Sequence, residues 1–161
     1  MITDNFRSFL KSFKYAFSGI IYCIKNERNM RFHFCAAFYV LIFMRFYDLS
    51  ASECAAVYLT IGSVIALEMI NTAVEAAVDL ASPQKSKLAK TAKDCASGAV
   101  LIAAIVSLLV AVKLFWDTKV FGDIASYFSE NIPMLILLII SAAVWIIIIF
   151  VPGSQKERNT K

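Results

Sequence analysis

Many familiar signatures of soluble enzymes and nucleic-acid-binding proteins are missing from this chain of 161 residues. It has one histidine and four cysteines, and the cysteines are widely spaced, without a C-x-x-C pair. That spacing argues against a disulfide framework and against a metal site built from sulfur. The chain also contains no G-x-x-x-x-G-K-[ST] phosphate-binding loop, no kinase-type glycine-rich loop and no nucleic-acid-binding motif. Any nucleotide chemistry must therefore use a site of another design, and we expect no nucleic-acid partner.

Glycine and proline are also scarce, at 5 and 3 residues, whereas 60% of the chain is hydrophobic. A soluble domain is typically about 45–50% apolar. The excess lies in four segments, of which the first is short for a membrane span: Phe32–Tyr47, Ala51–Leu80, Ala96–Trp116 and Ile132–Val151. This pattern predicts an all-α integral membrane protein. The N-terminus has no short apolar stretch followed by a small-residue cleavage site, so we expect no signal peptide.

Basic residues are distributed unevenly among the connections between these segments. Of 16 lysines and arginines, six precede the first segment, four lie between the second and third, and three follow the fourth. The remaining three, Arg45, Lys113 and Lys119, and five acidic residues lie in or next to the other two connections. The positive-inside rule therefore predicts a plasma-membrane protein whose two termini and whose loop between the second and third segments are cytoplasmic.

The residues before the first segment have the pattern of an amphipathic helix. Its apolar stripe of about 120° opposes a basic face and contains Phe6, Phe9, Leu10, Phe13, Phe17, Ile20, Ile21 and Ile24. A basic amphipathic helix is typical of the cytoplasmic membrane interface, and the pattern is also compatible with packing on the protein's own surface.

The chain accordingly divides into four parts. Residues 1–31 form the interfacial helix and junction, 32–116 a three-span core, 117–131 a polar external connection, and 132–161 a fourth span with a basic tail. The fourth span is almost purely aliphatic, and we interpret it as an anchor without chemistry of its own.

Three acidic residues and one asparagine lie within the run Ala55 to Leu80, which is otherwise dominated by Ala, Val, Ile, Leu and Met. On a helix, Glu68, Asn71, Glu75 and Asp79 fall within a sector of roughly 80°. A charged side chain at the bilayer centre costs at least about 2.5–3.5 kcal/mol on insertion scales, so acidic residues there usually mark a functional site. The stripe suits either Mg²⁺ with nucleotide phosphates or a pathway for protons or cations. Periodicity alone does not separate these two tasks.

Three stretches give a specific resemblance: E-R-N-M-R-F-H at 27–33, E-M-I-N-T-A-V-E-A-A-V-D at 68–79, and A-K-D-C-A-S-G-A-V at 92–100. In order and spacing they resemble the prokaryotic diacylglycerol kinase family over residues 5 to 116. The first stretch is similar to the Gram-positive branch, whose members are mainly undecaprenol kinases.

The resemblance implies a small membrane kinase that forms homotrimers, with three spans and a surface helix per subunit. Its active sites would lie between subunits at the cytoplasmic interface, with Mg²⁺ as cofactor and ATP as co-substrate. By position, Glu27 and Glu75 would hold the Mg²⁺ that bridges the ATP phosphates. Glu68 would be the general base near the lipid hydroxyl. Which of Glu68 and Glu75 is the base stays open.

The other matched residues would bind the nucleotide. Asn71 and Asp79 would lie in the polar site, with Asp79 in contact with the nucleotide. Lys93 and Asp94 would help to bind it, Lys93 through the phosphates. Such a set is chemically sufficient, because phosphoryl transfer needs alignment and charge neutralisation more than covalent chemistry.

These expectations favour an ATP- and Mg²⁺-dependent kinase that converts undecaprenol, a lipid alcohol, to undecaprenyl phosphate. Diacylglycerol is the alternative acceptor, because no feature of the sequence distinguishes between the two lipids. A small proton- or cation-conducting membrane protein is the alternative from another class. Because the fourth span lies beyond the three-span core, we expect its removal to leave activity largely intact.

Overall fold

The computed structural model describes residues 2–82 and 86–153, and every regular element among them is a helix. In chain order these are α1 (Ile2–Asn26), α2 (Arg28–Phe43), a 3₁₀ turn (Met44–Phe46), α3 (Ala51–Ala81), α4 (Lys87–Phe115), α5 (Thr118–Glu130) and α6 (Ile132–Phe150). The all-α prediction is confirmed.

Helices α3 and α4 form the central hairpin and make the most extensive contact between any two helices described. A reciprocal capping box starts α3: the Glu53 amide donates to Ser50 Oγ at 3.4 Å, and the Ser50 amide donates to Glu53 Oε2 at 2.8 Å. The Ser86 hydroxyl caps α4 by accepting from the Ala89 amide at 3.0 Å. The sequence Ser-Pro-Gln-Lys at 82–85 predicts a turn that ends α3, and residues 83–85 lie outside the described residues.

Helix α4 begins at Lys87, earlier than the predicted start of the third span at Ala96. The basic stretch before Ala96 was predicted as a connection, whereas its described part is the first turns of this helix. The reason is local, since Ser86 is a favourable N-cap and the Lys-Leu-Ala-Lys sequence that follows has high helix propensity. Lys93 and Asp94 therefore lie on a rigid helix.

Three of the described helices, α3, α4 and α6, are long and apolar enough to cross a membrane. The predicted first span, Phe32–Tyr47, instead coincides with α2 and the 3₁₀ turn. Helix α2 alone has 16 residues, which is short for a span. Together, α2 and the 3₁₀ turn have a length of about 30 Å, close to the hydrocarbon thickness of a bilayer.

Helix α2 lies antiparallel to α6 along its whole length. At one end, Arg31 donates hydrogen bonds to carbonyl groups at the C-terminal end of α6. Near the middle, the Tyr39 hydroxyl lies 3.0 Å from Ser141 Oγ. At the other end, the rings of Phe43 and Phe128 pack with centroids 6.2 Å apart, just before α6 begins. The first predicted span therefore runs alongside α6 over most of its length, and α6 is long and apolar enough to cross a membrane.

Most of the predicted connection at 117–131 is helix α5, which the sequence interpretation did not include. Asp117 caps the helix by accepting from the amides of Lys119 and Val120. Apolar residues recur at helical spacing between the polar ones, and Tyr127 packs its ring against Phe46, with centroids 5.3 Å apart. That periodicity was present in the sequence, but the polar residues around it dominated the interpretation.

Helix α1 is amphipathic as predicted, and its last turns pack on α3. Cys23 is buried, and a Cβ at Gly19 would lie 4.0 Å from Met69 Cε. Burial raises the pKa of the Cys23 thiol above its usual range. The aromatic residues of the first turns are exposed, as expected of a helix in a membrane interface.

Thiol labelling tests this packing. In variants that retain a single cysteine, we expect a maleimide to modify Cys95 readily, because its side chain is exposed. Cys23 should react much more slowly, because it is buried and its thiolate is disfavoured. The two should react alike after denaturation in detergent. Equal rates in the native protein would show that α1 does not pack on α3.

Candidate functional site

The polar stripe of α3 changes from buried to exposed along the helix. Glu68 is 3% exposed and Asn71 is 8% exposed. Glu75 is half-buried, and Asp79, near the end of the helix, is exposed. The rise from Glu68 to Asp79 is about 16 Å, roughly half the hydrocarbon thickness of a bilayer. The predicted alignment of the four residues on one continuous helix is confirmed.

Glu68 is surrounded by groups from three helices. The Asn29 side chain of α2 hydrogen-bonds to its carboxylate. Thr72, one turn further along α3, donates from its hydroxyl to the Glu68 carbonyl at 3.0 Å. The same Thr72 side chain hydrogen-bonds to the Cys23 thiol of α1. These contacts bring the α1–α2 junction against the middle of α3.

Three of the predicted carboxylates lie in one neighbourhood. Both Glu27 and Glu75 are near enough to Glu68 to interact with it electrostatically. Glu27 is the residue between α1 and α2, with an extended backbone (φ −105°, ψ 119°), and its side chain makes no capping hydrogen bond to α2. Its half-buried carboxylate therefore serves no helix-capping role and faces the same region as the α3 stripe.

A short hydrogen-bonded chain orients the amide of this stripe. Asn71 donates from Nδ2 to Glu75 Oε1 at 3.1 Å. The Ser97 hydroxyl of α4 donates to Asn71 Oδ1 at 3.3 Å. Because the two contacts use opposite ends of the amide, they fix its orientation and hold the Glu75 carboxylate against α3.

Lys93 and Asp79 form a second polar group at the end of the hairpin. Lys93 Nζ lies 2.5 Å from Asp79 Oδ1 and joins α4 to α3. Both side chains retain substantial exposure, 33% and 54% respectively, so solvent screens the pair. Asp94 follows Lys93 and is exposed, and no contact in the described part of the chain draws it into either polar group.

The carboxylates fit a hard cation such as Mg²⁺ by the chemistry of their oxygen atoms. Within residues 2–82 and 86–153, no three His, Cys, Asp or Glu side chains converge closely enough to form a metal cage. Mg²⁺ does not require such a cage, because it typically uses one or two protein carboxylates together with substrate phosphates and water. The donor set of Glu27 and Glu75 is compatible with that mode.

Sequence interpretation missed two contacts at this site. Asn29 lies within the E-R-N-M-R-F-H stretch but was not assigned a role, although its side chain bonds to Glu68. Ser97 likewise bonds to Asn71 from the facing helix. Both are small polar residues next to assigned ones in the matched stretches, which was the available signal. The ring of His33, the single histidine, packs on Phe32.

The chain is similar in sequence to a known protein family and to several of its members. The family description "Prokaryotic diacylglycerol kinase" matches residues 14–115. The undecaprenol kinase of Bacillus subtilis is 42% identical over 107 residues, which cover 66% of this chain and 87% of that protein. A diacylglycerol kinase of Synechocystis is 43% identical over 102 residues, covering 63% of this chain and 58% of that protein. The diacylglycerol kinase of Escherichia coli K12 is 29% identical over 115 residues, covering 71% and 94%.

The family match begins inside α1 and ends with α4, so it includes every residue assigned to the site and excludes α5 and α6. It covers well over half of the chain. The chain belongs to the prokaryotic diacylglycerol kinase family and is a membrane lipid kinase.

Proposed function

We propose that this kinase transfers the γ-phosphoryl group of ATP to the hydroxyl of undecaprenol, which gives undecaprenyl phosphate and ADP. The Bacillus subtilis undecaprenol kinase, 42% identical over most of its length, supports this choice of acceptor. Diacylglycerol is the second candidate, supported by the Synechocystis relative at 43% identity. The family match leaves the ion-pathway alternative without support.

The observation that carries the proposal is the order of polar groups along α3. The buried Glu68 lies deepest in the apolar helix, and the exposed Lys93–Asp79 pair lies at its end. A lipid hydroxyl approaches from the bilayer, whereas ATP is soluble and approaches from the aqueous side. This order supports a site in which the group that meets the lipid and the group that meets the nucleotide lie at opposite ends of one stripe, with Glu75 between them.

In this mechanism Glu68 is the general base. The lipid oxygen forms a bond to the γ-phosphorus, the bond from that phosphorus to the β–γ bridging oxygen breaks, and the hydroxyl proton passes to the Glu68 carboxylate. The Asn29 side chain hydrogen-bonds to that carboxylate and restrains it. Glu27 and Glu75 would hold Mg²⁺, which neutralises phosphate charge when it is bound.

The remaining residues bind and orient ATP. Lys93 contacts the phosphates, Asp79 and Asp94 contact the nucleotide, and Asn71 keeps Glu75 in place through its hydrogen bond. The Lys93–Asp79 ion pair poises the ammonium group at the end of the site, and a more highly charged triphosphate competes for it. The pair is partly exposed, so exchanging one partner for another costs little.

We further propose that α1 lies in the cytoplasmic interface, that both termini are cytoplasmic and that the chain forms homotrimers with sites between subunits. The basic residues of α1 and of the first turns of α4 support this orientation. The basic tail that contributes to the same argument, Lys156, Arg158 and Lys161, lies outside the described residues.

Acceptor choice is tested by offering undecaprenol and diacylglycerol separately to purified protein with Mg·ATP in matched mixed micelles. We expect faster turnover of undecaprenol. Faster turnover of diacylglycerol would show that the enzyme makes phosphatidic acid instead. If neither lipid is phosphorylated, the kinase assignment is wrong for both of them, and the ion-pathway alternative has to be considered again.

Glu75→Gln tests the cation-binding role of its carboxylate. We expect turnover to fall by about a hundredfold or more at ordinary Mg²⁺ concentrations, because the amide is a neutral and weaker ligand. Folding and assembly should change little. Glu130→Gln, at the exposed end of α5 and outside the family match, is the matched control and should behave as wild type. Wild-type activity of Glu75→Gln would reject this role.

Glu68→Gln tests the general base. We expect kcat to fall by about a hundredfold to ten-thousandfold, with little change in the KM for ATP, because the residue lies at the lipid end of the stripe. The rise of activity with pH that follows from deprotonation of the base should also disappear from the profile of the residual activity. A variant with normal kcat and a raised KM for ATP would identify Glu68 as a nucleotide contact instead.

A further inference from the structure

The α1–α2 junction is a joint of a single residue. Helix α1 ends at Asn26 and α2 begins at Arg28, with Glu27 alone in extended conformation between them. The Glu27 amide still donates to the Cys23 carbonyl at 2.8 Å, and its own carbonyl accepts from the Arg31 amide at 3.4 Å. The direction of each helix therefore determines where the Glu27 carboxylate lies.

Arg31 crosses this joint and also reaches α6. Its side chain is buried, with 6% exposure. Nη1 donates to the Lys25 carbonyl of α1 at 3.2 Å. Nη2 donates to the Ile149 carbonyl at 3.3 Å and to the Val151 carbonyl at 2.9 Å, both at the C-terminal end of α6. One guanidinium thus ties together the ends of three helices around Glu27.

These carbonyls suit a buried cation. The last four carbonyl groups of a helix have no partner within it, and they carry the negative end of the helix dipole. Arg31 Nε has no hydrogen-bond partner in the described part of the chain, so the guanidinium depends on the acceptors that Nη1 and Nη2 find. Without α6, Nη2 would lose both of its acceptors, and a buried charged donor left unpaired is costly.

Gly153 brings the chain after α6 into direct contact with the same joint. A Cβ at this position would lie 2.8 Å from the Asn26 carbonyl oxygen and 3.3 Å from the Asn26 Cα. Because those atoms are main chain, they cannot move aside as the tip of a flexible side chain can. Only glycine allows this approach, so the segment after α6 is fitted to the residue that precedes Glu27.

We propose that the C-terminal end of α6 positions the Glu27 carboxylate by holding the α1–α2 joint through Arg31 and Gly153. Arg31 is a positioning residue in this arrangement. The acceptors come from a helix beyond the family match at 14–115, so this chain supplies them in addition to the family core. The inference rests on the cation-binding role of Glu27 in the proposed function. It replaces the expectation that the fourth span is dispensable.

Gly153→Ala is the central test, and Gly122→Ala is its matched control. A Cβ at Gly122, on α5, meets no atom within 4 Å, so this control should match wild type in every measurement. The background retains Cys23 and replaces Cys35, Cys54 and Cys95 with alanine. Three quantities are measured: the Mg²⁺ concentration for half-maximal turnover, Mn²⁺ affinity by electron paramagnetic resonance with a non-hydrolysable ATP analogue, and the alkylation rate of Cys23.

For Gly153→Ala we expect cation affinity to weaken about tenfold, as is typical when a group that orients a ligand is lost. Cys23, four residues before Glu27 and buried against α3, should be alkylated faster because the joint has loosened. Wild-type cation affinity would overturn the proposal, whether or not Cys23 becomes more reactive, since Glu27 would then be positioned without α6.

Arg31→Lys provides a second, independent variant. It keeps the positive charge, but one ammonium group cannot reproduce the fork that reaches α1 and α6 together. We expect the same weakening of cation affinity, and unchanged affinity would contradict the proposal.

Glu27→Gln separates this inference from the function on which it rests. If Glu27→Gln itself leaves Mn²⁺ affinity unchanged, the cation-binding role in the proposed function is wrong. If Glu27→Gln weakens binding and Gly153→Ala does not, the cation site stands and the positioning role of α6 is wrong.

Discussion

The whole arrangement depends on placing the Glu68 carboxylate in the middle of an apolar helix. A carboxylate in that position is expensive unless neighbouring groups solvate it. Neighbouring helices supply this cover: Asn29 of α2 bonds to the carboxylate, and Cys23 at the end of α1 bonds to Thr72 of α3 in the same region. Helices α1 and α2 must therefore pack against α3 at this depth, and that requirement sets the position of the joint between them. Glu27 lies near Glu68 because the joint lies there.

A second consequence follows from the length of α3. Its 31 residues rise about 46 Å, well beyond the roughly 30 Å of the hydrocarbon region. One rigid helix therefore connects the apolar region with the aqueous boundary and carries polar groups at several depths. Asn71, which Ser97 orients, holds the Glu75 side chain against this helix by a hydrogen bond. Further along, the Lys93–Asp79 ion pair joins α3 to α4. A site that joins a lipid substrate to a soluble one needs groups at both depths in fixed relation.

The stripe of α3 was predictable because helical periodicity is local and its polar residues contrast with their surroundings. The family resemblance added Glu27, which local pattern alone does not distinguish from an interfacial anchor. Helix α5 was missed because polar residues lie between its apolar positions, although these recur at helical spacing. The contacts of Arg31 with Ile149 and Val151 were not predictable, since the residues are about 120 positions apart and the acceptors are main-chain carbonyls. No side-chain pattern marks such a pair.

That last point explains why α6 resembles a plain anchor. Its side chains are almost all aliphatic, but Arg31 uses its main-chain carbonyls, which every residue provides. What α6 must supply is therefore a helix that ends at the correct depth, and its 19 residues, about 28 Å in length, meet that need. After α6, Gly153, where the main chain touches Asn26 directly, carries a requirement on residue type. A helix can thus hold the joint between two other helices through its length and its end while its sequence shows only the composition of a membrane span.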